Sequence, residues 1–244
     1  MAAASYWSRS RAPRHSLTFA LPLLLLYEAL AFLLSGDAMA GVRNGADVLL
    51  KSAFTALGGR HGLTIFGVVL FGAGLVLVAR DRRRSGPIEP RLFLPMLLES
   101  LGYALLLGGV ASTLTSLLLG RLGFALAAGS LAEFGLPTQI MISLGAGLYE
   151  ELVFRVLLVS GLALVGTRLL GWSPRASGVM ATVLGALVFS AFHYVGPYGD
   201  PWQLDSFTFR AVAGVLFSAL YLLRGFGIAA WSHALYDVVL AVIR

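Results

Sequence analysis

Apolar positions along the chain gather into long runs, separated by short stretches rich in arginine, glycine and proline. About 20 consecutive apolar residues cross the hydrocarbon of a bilayer. Seven segments read as spanning candidates: Ser16–Ser35, Leu63–Ala79, Leu92–Leu119, Thr138–Leu170, Ser177–Val195, Phe207–Leu223 and Phe226–Ile243. Leu92–Leu119 and Thr138–Leu170 are long for one span, and tilt or extension past the bilayer absorbs the excess. Ala38–Gly59 and Leu122–Phe134 are amphipathic and weakly charged, a pattern that places them on the membrane surface. The pattern predicts an all-α fold, a polytopic transmembrane bundle of about seven to eight helices forming one membrane domain. No long soluble loop interrupts it, so any chemistry must use side chains inside the bundle.

Composition sharpens this picture. The 244 residues are 58% hydrophobic and 12% charged, with a mean hydropathy of +0.84. Soluble domains carry about twice that share of charge. The net charge of +6 is almost all arginine, gathered at helix ends as membrane topology requires, so it does not point to nucleic acid. Cysteine is absent, which excludes disulfides, thiolate nucleophiles and cysteine-bound zinc. Arg9, Arg11 and Arg14 before an apolar run, with Ala38-Met39-Ala40 after it, imitate a signal peptide. Ser16–Ser35 is long for such a segment and contains Glu28, so it reads as an uncleaved first helix.

The arginines set an orientation. Arg9, Arg11 and Arg14 precede the first span, and Arg80, Arg82, Arg83 and Arg84 follow the second. Both groups belong on the cytoplasmic side, which puts the N-terminus in the cytoplasm. Arg168, Arg175 and Arg224 then fall on the same side, with Arg121 and Arg244 as minor exceptions. The acidic loop Gly196–Ser206 falls outside.

Against this background "GLYEELVFRVLL" stands out, because Glu150, Glu151 and Arg155 lie within the fourth candidate span. At about 2.5–3.5 kcal/mol for each charge at the bilayer centre, the three cost on the order of 8–10 kcal/mol. Such groups face the bundle interior in pairs, and they mark a functional site. At α-helical spacing Glu151 and Arg155 share a face and read as a neutralising ion pair. Glu150 points elsewhere and is the spare carboxylate, a candidate base. Phe189 and His193 are four apart near the end of the fifth span, and His233 and Asp237 are four apart in the seventh. A lone buried histidine is most simply a hydrogen-bonded structural residue. A histidine held by an acid recurs in catalytic and metal sites. Three helices each donating such a group argue for one shared site.

Glu150-Glu151-x-x-x-Arg155, Phe189-x-x-x-His193 and His233-x-x-x-Asp237, in that order and spacing, resemble the three motifs of the CPBP family. This family comprises CAAX-protease and bacteriocin-processing (abortive-infection) membrane proteins and includes the type II CAAX prenyl endopeptidase. The resemblance covers the C-terminal part of the chain. It implies a division into residues 1–137, N-terminal helices and amphipathic segments, and 138–244, a catalytic helix core. It also implies an intramembrane endopeptidase in which Glu150 and His193 activate a water and His233 and its partner bind the oxyanion. Glu151, Arg155 and Phe189 are then supporting residues. Asp237 stands where the prenyl endopeptidases carry asparagine. An ionised carboxylate cannot donate, so the donor role falls to His233, oriented by Asp237. No cofactor is required. The alternative is a divalent metal such as zinc held by Glu150, His193 and His233, although the HExxH spacing is absent.

The expected partners are membrane lipid and a peptide or protein substrate, not nucleic acid, and the expected location is the bacterial cytoplasmic membrane. Two rival functions are a non-catalytic scaffold or immunity protein of the same fold and a proton-coupled transporter, the latter disfavoured by the lack of an internal repeat. Glu28 and Glu99 read as structural acids, either paired with an arginine or histidine of another helix or buried in the protonated form. One geometric demand remains. His193 lies late in its helix and His233 early in its own. To meet, the two helices must be offset in depth, or the fifth must extend past Val195.

Overall fold

The computed structural model describes residues 5–34, 42–120 and 133–243. The Ala38-Met39-Ala40 tripeptide, most of Leu122–Phe134, and Arg121 and Arg244 lie outside them. The described residues form helices and short turns, with no strand among them. In chain order the helices are α1 (Tyr6–Arg11), α2 (Pro13–Leu33), α3 (Gly45–Gly58), α4 (Gly62–Ser85) and α5 (Phe93–Leu119). There follow α6 (Leu136–Gly145), a π-helical segment (Ala146–Val159), α7 (Ser160–Arg168), α8 (Pro174–Phe192), α9 (Leu204–Arg224) and α10 (Phe226–Ile243). Among the described residues, six stretches are long and apolar enough to cross a bilayer: Pro13–Leu33, Gly45–Ser85, Pro90–Leu119, Pro174–Phe192, Leu204–Arg224 and Phe226–Ile243. The chain is therefore an all-α, polytopic membrane bundle. The expected span Thr138–Leu170 is a continuous rod of α6, the π segment and α7.

Helix ends follow local chemistry more closely than hydropathy. Pro13 opens α2 a turn before its apolar run, because proline suits the first helical position. Ser173 caps α8 by accepting from the Ala176 N–H. α4 runs to Ser85 and carries Arg82, Arg83 and Arg84 in its last turn, where cations suit the helix dipole.

α3 corrects the expectation of a surface helix. Asn44, Ala46 and Asp47 at its start are buried, while Gly45, Val48, Leu49 and much of the rest of the helix are exposed. The chain then reverses at Gly59, whose φ of +53° favours glycine. α3 and α4 pack as a tight hairpin, with Phe54 edge-on to Phe66 at 5.4 Å between ring centroids.

α10 runs through the middle of the bundle, against α2, α5, α6, α9 and the π segment. Within α5, Gly108 lets the Tyr236 ring of α10 approach closely. Gly120 ends α5 in a left-handed conformation, and a Cβ at Gly109 would meet nothing within 4 Å among the described residues.

One end of the bundle gathers the arginine-bearing termini. Arg14 bonds Asp81 at 2.9 Å and the Pro87 carbonyl at 3.2 Å, joining the start of α2 to the end of α4. Arg9 and Arg91 pair with Glu89. The hydrogen bonds from Arg91, with the nearby charge of Arg9, hold the Glu89 carboxyl below its ordinary range. Arg224, at the end of α9, bonds Glu99 at 2.8 Å and the Trp7 carbonyl at 3.1 Å, and its guanidinium lies 3.9 Å from the Trp7 ring centroid. Glu99 also accepts from Tyr6 at 2.6 Å. It is thus paired with an arginine of another helix.

Candidate active site

The backbone of Ala146–Val159 is π-helical over 14 residues. π geometry is rare and recurs at functional sites. Glu150, Glu151 and Arg155 all lie in this segment, and all are buried. Gly147, one turn before them, lets α10 approach backbone to backbone. A Cβ at Gly147 would sit 2.3 Å from the Ala230 carbonyl oxygen and 2.6 Å from the Ala234 Cβ. That approach brings His233 onto the carboxylate pair.

His233 Nδ1 lies 2.8 Å from Glu151 Oε1. A carboxylate only accepts, so Nδ1 carries the hydrogen. His233 Nε2 then faces Glu150 Oε2 at 3.9 Å and Asp237 Oδ2 at 3.6 Å. Two acids therefore flank the His233 ring, Asp237 and Glu151. The i, i+4 spacing brings Asp237 to the ring, but at its Nε2 edge, and the acid that orients His233 is Glu151.

His193 caps the C-terminus of α8, which stops at Phe192 and does not extend past Val195. Its Nδ1 donates to the Phe189 carbonyl at 2.9 Å, so the neutral ring presents the lone pair of Nε2. Nε2 lies 4.0 Å from Glu150 Oε2. The depth demand is met by an offset. His193 follows the whole of α8, whereas His233 sits two turns into α10, and both reach the same carboxylate oxygen.

Glu150 has no partner in its own helix. Its Oε1 accepts from Asn44 Nδ2 at 2.8 Å. Its buried Oε2 has no hydrogen-bond partner among the described residues and points at both imidazole Nε2 atoms. Side-chain exposure is 30% for Asp237 and 25% for His193, but 9% for Glu150, 6% for His233 and 0% for Glu151. The constellation therefore opens on the side of Asp237 and His193 and closes toward Glu151.

Arg155 Nη1 lies 3.2 Å from Glu151 Oε1, the expected pair. Its three guanidinium nitrogens have no hydrogen-bond partner among the described residues. They rest instead against aromatic faces, 4.3 Å from the Phe189 centroid and 5.6 Å from that of Phe217. Phe189 thus takes His193 on its carbonyl and Arg155 on its ring. Phe217 of α9 also stacks on His233, with centroids 4.5 Å apart and planes at 21°. Neither Phe217 nor Asn44 was expected from the sequence. Phe217 is one apolar residue among many. Asn44 carries a signal only as a helix start, an N-cap residue before Gly-Ala-Asp.

Glu28 is held by Arg43 and Lys51, each at 3.1 Å, and accepts from Tyr149 at 3.1 Å. It belongs to an ion-pair cluster beside the site.

A zinc ion on Glu150, His193 and His233 would need donor atoms about 3.3 Å apart, as bonds of about 2.0–2.1 Å in tetrahedral geometry require. The separations of 3.9 and 4.0 Å from Glu150 Oε2 to the two ring nitrogens are wider. Among the described residues no group of three or more histidines and acids is placed to hold a metal ion.

Residues 132–239 match the family described as "Type II CAAX prenyl endopeptidase Rce1-like". No curated protein matches the chain, and no solved structure does. The matched range contains Glu150, Glu151, Arg155, Phe189, His193, His233 and Asp237 and leaves out Asn44. This chain is accordingly an integral multi-pass membrane protein whose residues 132–239 are similar to the Rce1-like type II CAAX prenyl endopeptidases.

Proposed function

We propose that the protein is an intramembrane endopeptidase that hydrolyses a peptide bond of a membrane-associated or lipid-modified substrate, with Glu150 as the base. The observation that carries this reading is the aim of one unpaired carboxylate oxygen, Glu150 Oε2, at two imidazole nitrogens about 4 Å away. A water bound between them is within reach of a base on one side and a ring nitrogen on the other. Glu150 Oε2 takes a proton from that water, His193 Nε2 orients it, and its oxygen attacks the peptide carbonyl. The oxyanion that forms accepts a hydrogen bond from the Nε2–H of His233 in its imidazolium form, whose Nδ1–H is held by Glu151 and whose ring stacks on Phe217. Collapse breaks the C–N bond, and the proton on Glu150 passes to the leaving amine. The products are a carboxylate and an amine, and no metal takes part.

Burial within a bundle suits a substrate that enters sideways from lipid, and the more exposed His193 and Asp237 mark the side of entry. The arginine-bearing ends of α2, α4 and α9 share one end of the bundle, which supports a cytoplasmic N-terminus.

The test is cleavage of fluorogenic peptides, including a farnesylated CAAX reporter, by the purified protein in lipid nanodiscs. Cleavage by the wild type and its loss in Glu150→Gln are expected. Absence of cleavage across the panel, or full activity in Glu150→Gln, would overturn the reading.

A further inference from the structure

We infer that Asn44, the residue that starts α3, is a positioning residue for Glu150, and that its amide decides which carboxylate oxygen works on the substrate. The inference rests on the reading of Glu150 as the base. The amide has only one available orientation. Asn44 Oδ1 accepts from the Ala46 N–H at 2.9 Å as the cap of α3. The nitrogen is therefore the atom that donates to Glu150 Oε1 at 2.8 Å. With Oε1 engaged, the carboxylate cannot turn about its last bond without breaking a buried hydrogen bond, and Oε2 stays on the histidines. The groups that face Glu150 are Asn44 from α3, His193 from α8, His233 from α10 and Arg155 from its own segment. Asn44 alone among them makes a hydrogen bond to it within 3 Å.

Asn44 is itself fixed from behind. Its backbone N–H donates to the Tyr27 hydroxyl at 3.3 Å, and that hydroxyl donates to Asp47 Oδ2 at 2.8 Å. Fully buried Asp47 is held by Lys51 at 2.7 Å and Arg43 at 3.1 Å. Both cations also bind Glu28, which accepts from the hydroxyl of Tyr149, the residue before Glu150. The circuit leaves the π segment at Tyr149 and returns to it at Glu150. Two acids and two bases cancel within it, so α3 docks into the bundle without an unbalanced charge. The orientation of the base is thus set by residues outside the family-matched range.

The test uses the purified full chain in nanodiscs. Asn44→Ser keeps a good helix cap but is too short to reach Glu150. Asn44→Asp keeps the cap and the shape but sets an acceptor against an acceptor. The infrared carboxylate band of Glu150, isolated by difference against Glu150→Gln, is expected to shift in both variants. With the farnesylated CAAX reporter, kcat is expected to fall about ten- to hundredfold in Asn44→Ser, the usual size for loss of a group that orients a catalytic one. It should fall further in Asn44→Asp, with KM unchanged. If Asn44→Ser fails to accumulate, the isosteric Asn44→Asp carries the test. An unmoved Glu150 band, or a change confined to KM, would overturn the inference. If the wild type cleaves nothing, the proposed function fails, and the band shift still decides the role of Asn44.

Discussion

Glu151 Oε1 accepts the Nδ1 hydrogen of His233 at 2.8 Å while Arg155 Nη1 lies 3.2 Å from the same oxygen. One atom therefore serves both a fold-holding pair and the ring that faces Glu150. The two adjacent glutamates divide the work by direction: Glu150 faces the opening, and Glu151 faces inward and fixes the histidine.

Glu151→Gln tests that division. It keeps the size of the side chain but removes the anion from His233, and its amide can rotate to set a donor against Nδ1. Because the change also leaves buried Arg155 without its anion, reduced membrane abundance is expected, and kcat of the protein that accumulates should be lowered about 10–100-fold, as for other residues that orient a catalytic histidine. Unchanged kcat would remove Glu151 from the positioning set.

Arg155→Ala bears on the fold. It uncovers the Phe189 and Phe217 rings and leaves Glu151 without its cation. Breaking a buried pair by removing one partner costs about 3–5 kcal/mol. A lower thermal unfolding midpoint in detergent and reduced membrane abundance are expected. A stable, abundant but inactive variant would move Arg155 into the catalytic group.

Metal and glutamate chemistry separate through His233 and chelation. Activity is expected to survive exhaustive chelation, with bound metal well below one per chain. His233→Ala should lose about a hundred- to a thousandfold in rate, the size of one oxyanion donor at about 2.7–4 kcal/mol, without a change in metal content. One zinc per chain that is lost with activity and restores it on re-addition would overturn the glutamate mechanism.

Gly147→Ala probes the approach of α10. The new methyl would lie 2.3 Å from the Ala230 carbonyl oxygen, backbone that cannot swing aside, so the helices must part. A stability loss of about 1–3 kcal/mol is expected for this overpacking. Activity should fall further than that loss explains, because His233 moves with α10. Wild-type activity in Gly147→Ala would show that the site tolerates a wider helix separation.

Much of this architecture was written in the pattern of charge within apolar runs. Glu150, Glu151, Arg155, His193 and His233 stand out because a bilayer penalises them, and the structure gathers all five. Glu28 and Glu99 were readable as paired acids on the same grounds. Asn44 carries no charge, and it meets Glu150 across 106 residues of sequence, so neither hydropathy nor helical spacing could register it. The second acid on His233 was hidden for a related reason. Spacing within α10 reveals Asp237, whereas Glu151 comes from another helix through the gap left by Gly147. The π geometry was also hidden, since the same side chains serve an α-helix, and the extra residue per turn is decided by packing.

That geometry changes which kind of mutation the region can bear. At the end of the π segment the Ser160 N–H reaches back five residues to the Arg155 carbonyl. A conservative substitution at a lining position leaves this winding in place. Deleting a single residue from α6 would turn everything after it by about 100° and carry Glu151 toward the bearing that Glu150 holds. Both positions would still be glutamate, and the motif would read the same in an alignment. Leu152 would then fill the place that Glu151 holds beside His233, and His233 would lose its anchor. Between related chains, a one-residue difference in length upstream of the paired glutamates therefore carries more functional information than several substitutions within them.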